Sequence, residues 1–186
     1  MTNRYHHGNL RSQVLEAAAK IIAAEGADAL SMRDLARQAG VSHAAPAHHF
    51  GDRRGLFTAL AADGFTGLAD ALLPSVQSGD FSQTAVAYVA YAVSHPGHYS
   101  VMFRTSLLDA DDPALGDARQ RAGALLQQGL GTVPDERILI ERSDARRTAW
   151  AVVHGIAGLT LSGALPGVDA EALTLAAARQ LFGTSD

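Results

Sequence analysis

Between Ser31 and Phe57 the chain reads SMRDLARQAGVSHAAPAHHFGDRRGLF, with His43, His48, His49, Arg33, Arg37, Arg53 and Arg54 in one short stretch. Side chains of these types hydrogen-bond base edges and neutralise phosphates when short helices present them. Elsewhere the chemistry thins out. There is no Cys, which excludes disulfides, thiolate catalysis and Cys-based zinc sites. P-loop, HExxH, GxSxG and GxGxxG patterns are absent as well, so no catalytic residue and no cofactor is assigned, and the chain is not expected to be an enzyme. His95, His98 and His154 form a conceivable three-His metal set. However, no His or carboxylate follows at i+4 on a continuous helix, and the Pro96-Gly97 pair signals a turn, so structural roles and no metal are expected. His6-His7 belongs to a polar N-terminal stretch.

The elements that position the 31–57 residues follow from local signals. Ser31 followed by Asp34 is a capping-box pattern that starts a helix with Met32, Leu35, Ala36 and Ala39 on its apolar stripe. Gly40 is a left-handed stop, Val41 an apolar plug, and Ser42 a cap for a second helix running to His48, His49 and Phe50. Two short helices joined by a Gly-containing turn are the helix-turn-helix signature. On this pattern His43, Ala44, Ala47 and His48 face base edges, with the alanines limited to methyl contacts with thymine. Ser42 and His49 stand near phosphates, and Arg33, Arg53 and Arg54 are phosphate-clamp candidates. Pro46 is tolerable only near a helix start, so an irregular first turn is expected there.

The remaining pattern is helical throughout. Helices are expected over Asn9–Glu25, Arg53 to about Leu73, Ser82–Ser94, Pro96 to Leu108 and Ala114–Leu130. A further helix runs from Glu136 or Ser143 to Ala164, and a last one, capped by Asp169, reaches Phe182. An all-α fold of about nine helices results: a DNA-binding domain over residues 1–52 and a second helical domain over residues 53–186, whose ligand-binding and dimerisation roles are what the family resemblance described below implies.

The net charge of −4 hides an asymmetry. Residues 1–57 hold seven Lys/Arg against five acids, and residues 58–186 hold eight against fourteen. A basic head on an acidic body suits binding to double-stranded DNA. At 186 residues and 47% hydrophobic, the chain can build a sizeable core. Nothing at the start looks like a signal peptide, and cytoplasmic residence is expected. Thr148–Val168 carries no charge and is long enough to flag a spanning helix. Its Gly155, Gly158, Gly163, Pro166 and Gly167 dilute the hydrophobicity, so a protein-buried helix and no membrane partner are expected.

Within that segment Ala151, Gly155, Gly158 and Ser162 form a strip of small side chains that lets another helix approach closely. With Leu173, Ala177 and Leu181 it is the expected homodimer interface, because a helix apolar all round needs covering. Tyr88, Tyr91, Phe103, Leu107, Leu126 and Trp150 could line an apolar pocket for a small apolar effector, with His154 as its polar handle. Aromatic residues at this spacing are equally well plain core.

Gly40-Val41-Ser42, His49-Phe50, Arg53 and Leu56-Phe57 resemble the DNA-binding region of TetR-type transcriptional regulators. Tyr5–Arg11 and His43-Ala44-Ala45-Pro46 are similar to one branch of that family. Trp150 with His154-Gly155 is similar to the motif of that branch's C-terminal domain. The resemblance implies a ligand-released homodimeric repressor that binds operator DNA. The family usually has Tyr where this chain has Ala47, at a position that helps hold a phosphate. A helical protein-binding adaptor is the alternative, and salt-sensitive binding to duplex DNA separates the two.

Overall fold

The computed structural model describes residues 3–183, with side chains from Leu10 onward. Nine α-helices are formed among the described residues: α1 (Asn3–Glu25), α2 (Met32–Gln38), α3 (Ala45–Phe50), α4 (Arg53–Ser78), α5 (Phe81–Ser94), α6 (Pro96–Met102), α7 (Pro113–Gly131), α8 (Arg142–Leu161) and α9 (Ala170–Phe182). Short 3-10 turns at Ala27–Ala29, Thr105–Leu107 and Asp135–Arg137 complete the order, and no strand occurs among these residues.

Of the side-chain caps the sequence predicts, those of Ser31 and Asp169 are in place and that of Ser42 is not. Ser31 Oγ accepts the Asp34 N–H at 3.3 Å, whereas the Asp34 carboxylate turns to Arg37 at 2.8 Å rather than closing the capping box. Asp52 accepts from the Gly55 N–H, and Asp169 from those of Glu171 and Ala172. Gly40, with φ 65°, supplies the left-handed stop after α2, a conformation that costs other residues energy.

Several boundaries differ from expectation. α1 begins at Asn3 rather than Asn9, within the chain's polar start. α3 begins at Ala45, with Ala44 at the cap position, and Ser42 accepts the Ala45 N–H through its backbone carbonyl. Pro46 explains the delay: without an N–H it fits only the opening turn of a helix. α4 runs through Pro74 to Ser78. Asp70, whose carbonyl loses its partner to Pro74, is exposed, while Leu72 between them is buried. Water can satisfy that carbonyl, and burial of the apolar face offsets the break. α6 stops at Met102, short of Leu108. α8 starts at Arg142, whose guanidinium reaches Asp135 and the Leu130 and Val133 carbonyls and so holds the α7–α8 connection. α8 ends at Leu161, and Gly163 and Gly167, both with φ 72°, turn the chain. The uncharged run is therefore not one helix. α4 is long and apolar enough to cross a membrane by length and composition, but Leu56, Phe57, Leu60, Leu68 and Leu72 on it are buried in protein.

The chain divides into two compact units that do not follow the motif boundary at residue 52. The first comprises residues up to Phe65 together with His95–Arg119. Its core holds Val14, Ala18, Ile21, Leu35, Leu56, Leu60, Val101 and Met102. α6 packs on α1, where a Cβ on Gly97 would lie 2.0 Å from the Ala19 carbonyl oxygen, so only glycine permits this approach. The second unit comprises Thr66–Ser94 and the chain from Gln120 onward. In it α5 packs against α8 and α9. Buried Leu130, Val133, Ala145 and Phe182 form one core patch, with the Phe81 ring edge-on to Phe182 at 5.0 Å.

Candidate functional site

In the first unit the helix-turn-helix residues sort by exposure. Ser42, His43, Ala44, Ala47 and His48 are exposed, and His49 is half-buried, its ring 5.5 Å from that of His48. Pro46 points inward and is buried. His43 and Ala44 lie in the turn that precedes α3, so the exposed tip is a turn plus a six-residue helix. Arg33 is exposed and makes no ion pair with a described residue, which leaves its charge available to a phosphate. Arg11 adds a cation over the Phe50 ring at 5.5 Å.

Arg53 and Arg54 are placed differently from what the sequence suggested. An Arg53 Nη2 hydrogen donates to the Ala27 carbonyl at 2.5 Å, and the guanidinium lies 5.1 Å over the Phe57 ring. Arg54 donates to the Leu108 carbonyl from both Nε, at 3.0 Å, and Nη2, at 2.8 Å. Arg54 through its fork, and Arg53 through Nη2, are directed at the protein's own backbone. No local pattern in the sequence announces these acceptors, because one lies 26 and the other 54 residues away.

Also in this unit, His98 Nε2 lies 3.2 Å from Asp63 Oδ2, and the His95 and His98 rings are 5.9 Å apart. The hydrogen bond from His98 is the main cause holding the Asp63 carboxyl below its usual range, aided by the nearby charges of His98, Arg11 and His95. No cluster of three metal-ligating groups occurs among the described residues. His6 and His7 lie outside the residues whose side chains are described.

The second unit brings together three of the seven residues named for an effector. Tyr88, only 1% exposed, places its hydroxyl 3.1 Å from His154 Nδ1 and accepts the Trp150 indole N–H at 3.3 Å. Burial pushes the His154 pKa below its usual value. Tyr91 is buried beside Gly67, where a Cβ would come within 2.6 Å of the tyrosine oxygen, and Leu126 is half-buried. Phe103 and Leu107 belong to the first unit, where Phe103 packs edge-on to Phe65 and Tyr99.

On α8 and at its C-cap, Ala151, Gly158 and Ser162 are exposed and Gly155 is half-buried. A Cβ on Gly155 or Gly158 would meet no atom within 4 Å. Nothing among the described residues therefore requires glycine at either position. Leu159 and Val168 are large apolar side chains exposed nearby in sequence, and Leu173, Ala177 and Leu181 on α9 are half-buried.

Comparison with known proteins gives a consistent picture. A family model described as bacterial regulatory proteins, tetR family, matches residues 14–60, and one described as tetracyclin repressor-like, C-terminal domain, matches residues 81–181. Comparison with curated protein sequences gives no match. Among solved structures, a protein of unknown function from Rhodococcus sp. RHA1 is similar at 32% identity and TM-score 0.78, with 97% of each chain covered. The TetR family transcriptional regulator PfmR from Thermus thermophilus shares the fold at 21% identity and TM-score 0.70, over 93% of this chain and 98% of that one. NalD of Pseudomonas aeruginosa, the secondary repressor of the MexAB-OprM multidrug efflux pump, shares it at 18% identity and TM-score 0.63, over 97% and 98%. The C-terminal match spans more than half of the chain, the N-terminal match takes in the helix-turn-helix, and the fold agrees along the whole length: the chain belongs to the TetR family of DNA-binding transcriptional regulators.

Proposed function

We propose that the protein is a cytoplasmic homodimeric repressor that a small apolar effector releases from operator DNA. The observation that carries the DNA-reading part is the exposed tip formed by Ser42, His43, Ala44, Ala47 and His48 around the inward-facing Pro46. His43 and His48 read base edges, the alanines contact thymine methyls, Ser42, His49 and Arg33 hold phosphates, and Ala47 contributes no phosphate contact.

The strip of Ala151, Gly155, Gly158 and Ser162 supports dimerisation, because a Cβ on either glycine meets no described atom within 4 Å and a second copy of the helix fills that space. Two reading heads then address half-sites about 34–36 Å apart, or a multiple of that spacing. Trp150, His154 and Gly155 support membership of the branch with that motif in its C-terminal domain. Tyr88, Tyr91, Leu126, Trp150 and His154, all in the second unit, are the effector-side residues. An effector that favours a spread of the two heads unsuited to the operator weakens DNA binding by its differential affinity for the two states.

The test is selection of bound fragments from the source genome, followed by transcription from the selected promoters with and without protein. Repression relieved by a small apolar compound supports the reading, and activation refutes it. Within the selected site, His48→Ala should cost about 1–3 kcal/mol at one base pair. An equal loss on random DNA would reassign His48 to the backbone.

A further inference from the structure

We propose that Arg54 is a positioning residue for the DNA-binding head, which together with Thr58 ties the first turn of α4 to the α6–α7 connection and so sets where α3 stands. The hydrogen bonds form a closed circuit. The Arg54 fork donates twice to the Leu108 carbonyl, the next residue's N–H, that of Asp109, donates to Thr58 Oγ1 at 2.9 Å, and the Thr58 hydroxyl donates to the Arg54 carbonyl at 2.8 Å. Two consecutive backbone groups of the connection are thus held by one turn of α4. Thr58 is 3% exposed and Leu108 1%, so water does not replace these partners.

The same turn of α4 is locked to α3. Only Gly51 and Asp52 separate the two helices, and a Cβ on Gly55 would sit 2.0 Å from the Phe50 carbonyl oxygen. Such close backbone contact leaves no slack, and a displaced first turn carries α3 with it. On the adjacent side Arg53 reaches Ala27, and Arg104, just beyond α6, reaches Asp28 at 3.4 Å. The α6–α7 connection therefore meets the head through Arg104–Asp28 and through the Arg54–Thr58 circuit, and the second of these bears directly on the reading helix.

This assignment rests on DNA binding by the family's head and makes a prediction opposite to phosphate contact by Arg54. A phosphate contact contributes about one unit to the salt dependence of binding, and any cation there suffices. A bidentate carbonyl clamp needs the guanidinium fork, which lysine lacks. The experiment measures binding of the full chain, against salt, to a duplex selected by the wild type from random-sequence DNA. Circular dichroism establishes that each variant is folded at the assay temperature. Arg54→Leu, Arg54→Lys and Thr58→Val are each expected to weaken binding by about tenfold with an unchanged salt slope. The Arg54→Leu/Thr58→Val double variant should lose little more than either single change, because both open one circuit. Wild-type affinity in Arg54→Lys, or a slope reduced by about one in Arg54→Leu, would overturn the proposal. Should Thr58→Val not fold, the Arg54→Lys result decides alone. A wild type that selects no duplex at any salt would refute DNA binding itself, and the positioning role with it.

Discussion

The Tyr88 hydroxyl lies 3.1 Å from His154 Nδ1 while accepting the indole N–H of Trp150. An indole nitrogen can only donate, so the phenol oxygen accepts from it. In the Tyr88–His154 bond the direction follows the tautomer of the imidazole. This relay joins α5 to α8 and uses the chain's single tryptophan, which makes it directly observable.

The first prediction concerns acid. Burial lowers the His154 pKa from its ordinary 6.5, so between the two values the unfolded chain binds the extra proton and the folded chain does not. The stabilising contribution is complete above pH 6.5 and is lost as pH falls through the lower folded value. Trp150 emission should be quenched with a midpoint below 6.5 as the adjacent imidazole charges. Tyr88→Phe should lower stability by about 1 kcal/mol in urea unfolding under mildly alkaline conditions. A quenching midpoint above 6.5 would contradict the burial argument.

At the opposite sign of charge, Asp63 is held below its usual 3.8 chiefly by the hydrogen bond from His98. Its contribution is present above 3.8 and disappears as pH falls through the lower folded value. His98→Ala should therefore shift the acid-unfolding midpoint, followed by circular dichroism, to higher pH. An unchanged midpoint would show that the pair does not stabilise the fold.

Packing of α6 on α1 gives a third prediction. Gly97→Ala forces a Cβ to within 2.0 Å of the Ala19 carbonyl oxygen, a backbone atom that cannot rotate away. Separating the two helices should cost about 1–3 kcal/mol or more and lower Tm by several degrees. By contrast, Gly116→Ala, where a Cβ on a helical residue meets nothing within 4 Å, should leave Tm unchanged or raise it slightly.

The proposed dimer supplies the fourth. Gly158 is exposed and a Cβ there meets no atom of the described residues within 4 Å, so the Gly158→Leu monomer should stay folded and helical. Across a symmetric interface the added bulk is met twice, at about 1–3 kcal/mol each time. Sedimentation at micromolar concentration should show a shift towards monomer, and DNA binding should weaken as the advantage of two linked heads is lost. A variant that sediments as the wild-type dimer does would remove the strip from the interface.

Much of the architecture was legible because its signals are local. Ser31, Gly40, Asp52 and Asp169 each mark a helix end through a contact within three residues or through the residue's own φ, and those ends stand where the sequence put them. The exposure of Ser42, His43, Ala44, Ala47 and His48 was legible for the same reason, since a Gly turn between two short helices leaves few alternatives. Tertiary structure decided what depends on distant partners. Pro74 looked like a helix end, but burial of Leu72 carries α4 past it. Arg53 and Arg54 looked like phosphate ligands because their charge is visible in sequence, whereas the Ala27 and Leu108 carbonyls that receive them are not. Gly97 has no local signal for its contact with Ala19, and the Tyr88–His154 bond spans 66 residues. Caps and turns are set by a few neighbouring dihedrals. Which donor meets which acceptor across the core is set only when the helices pack, because that is when competing water is removed.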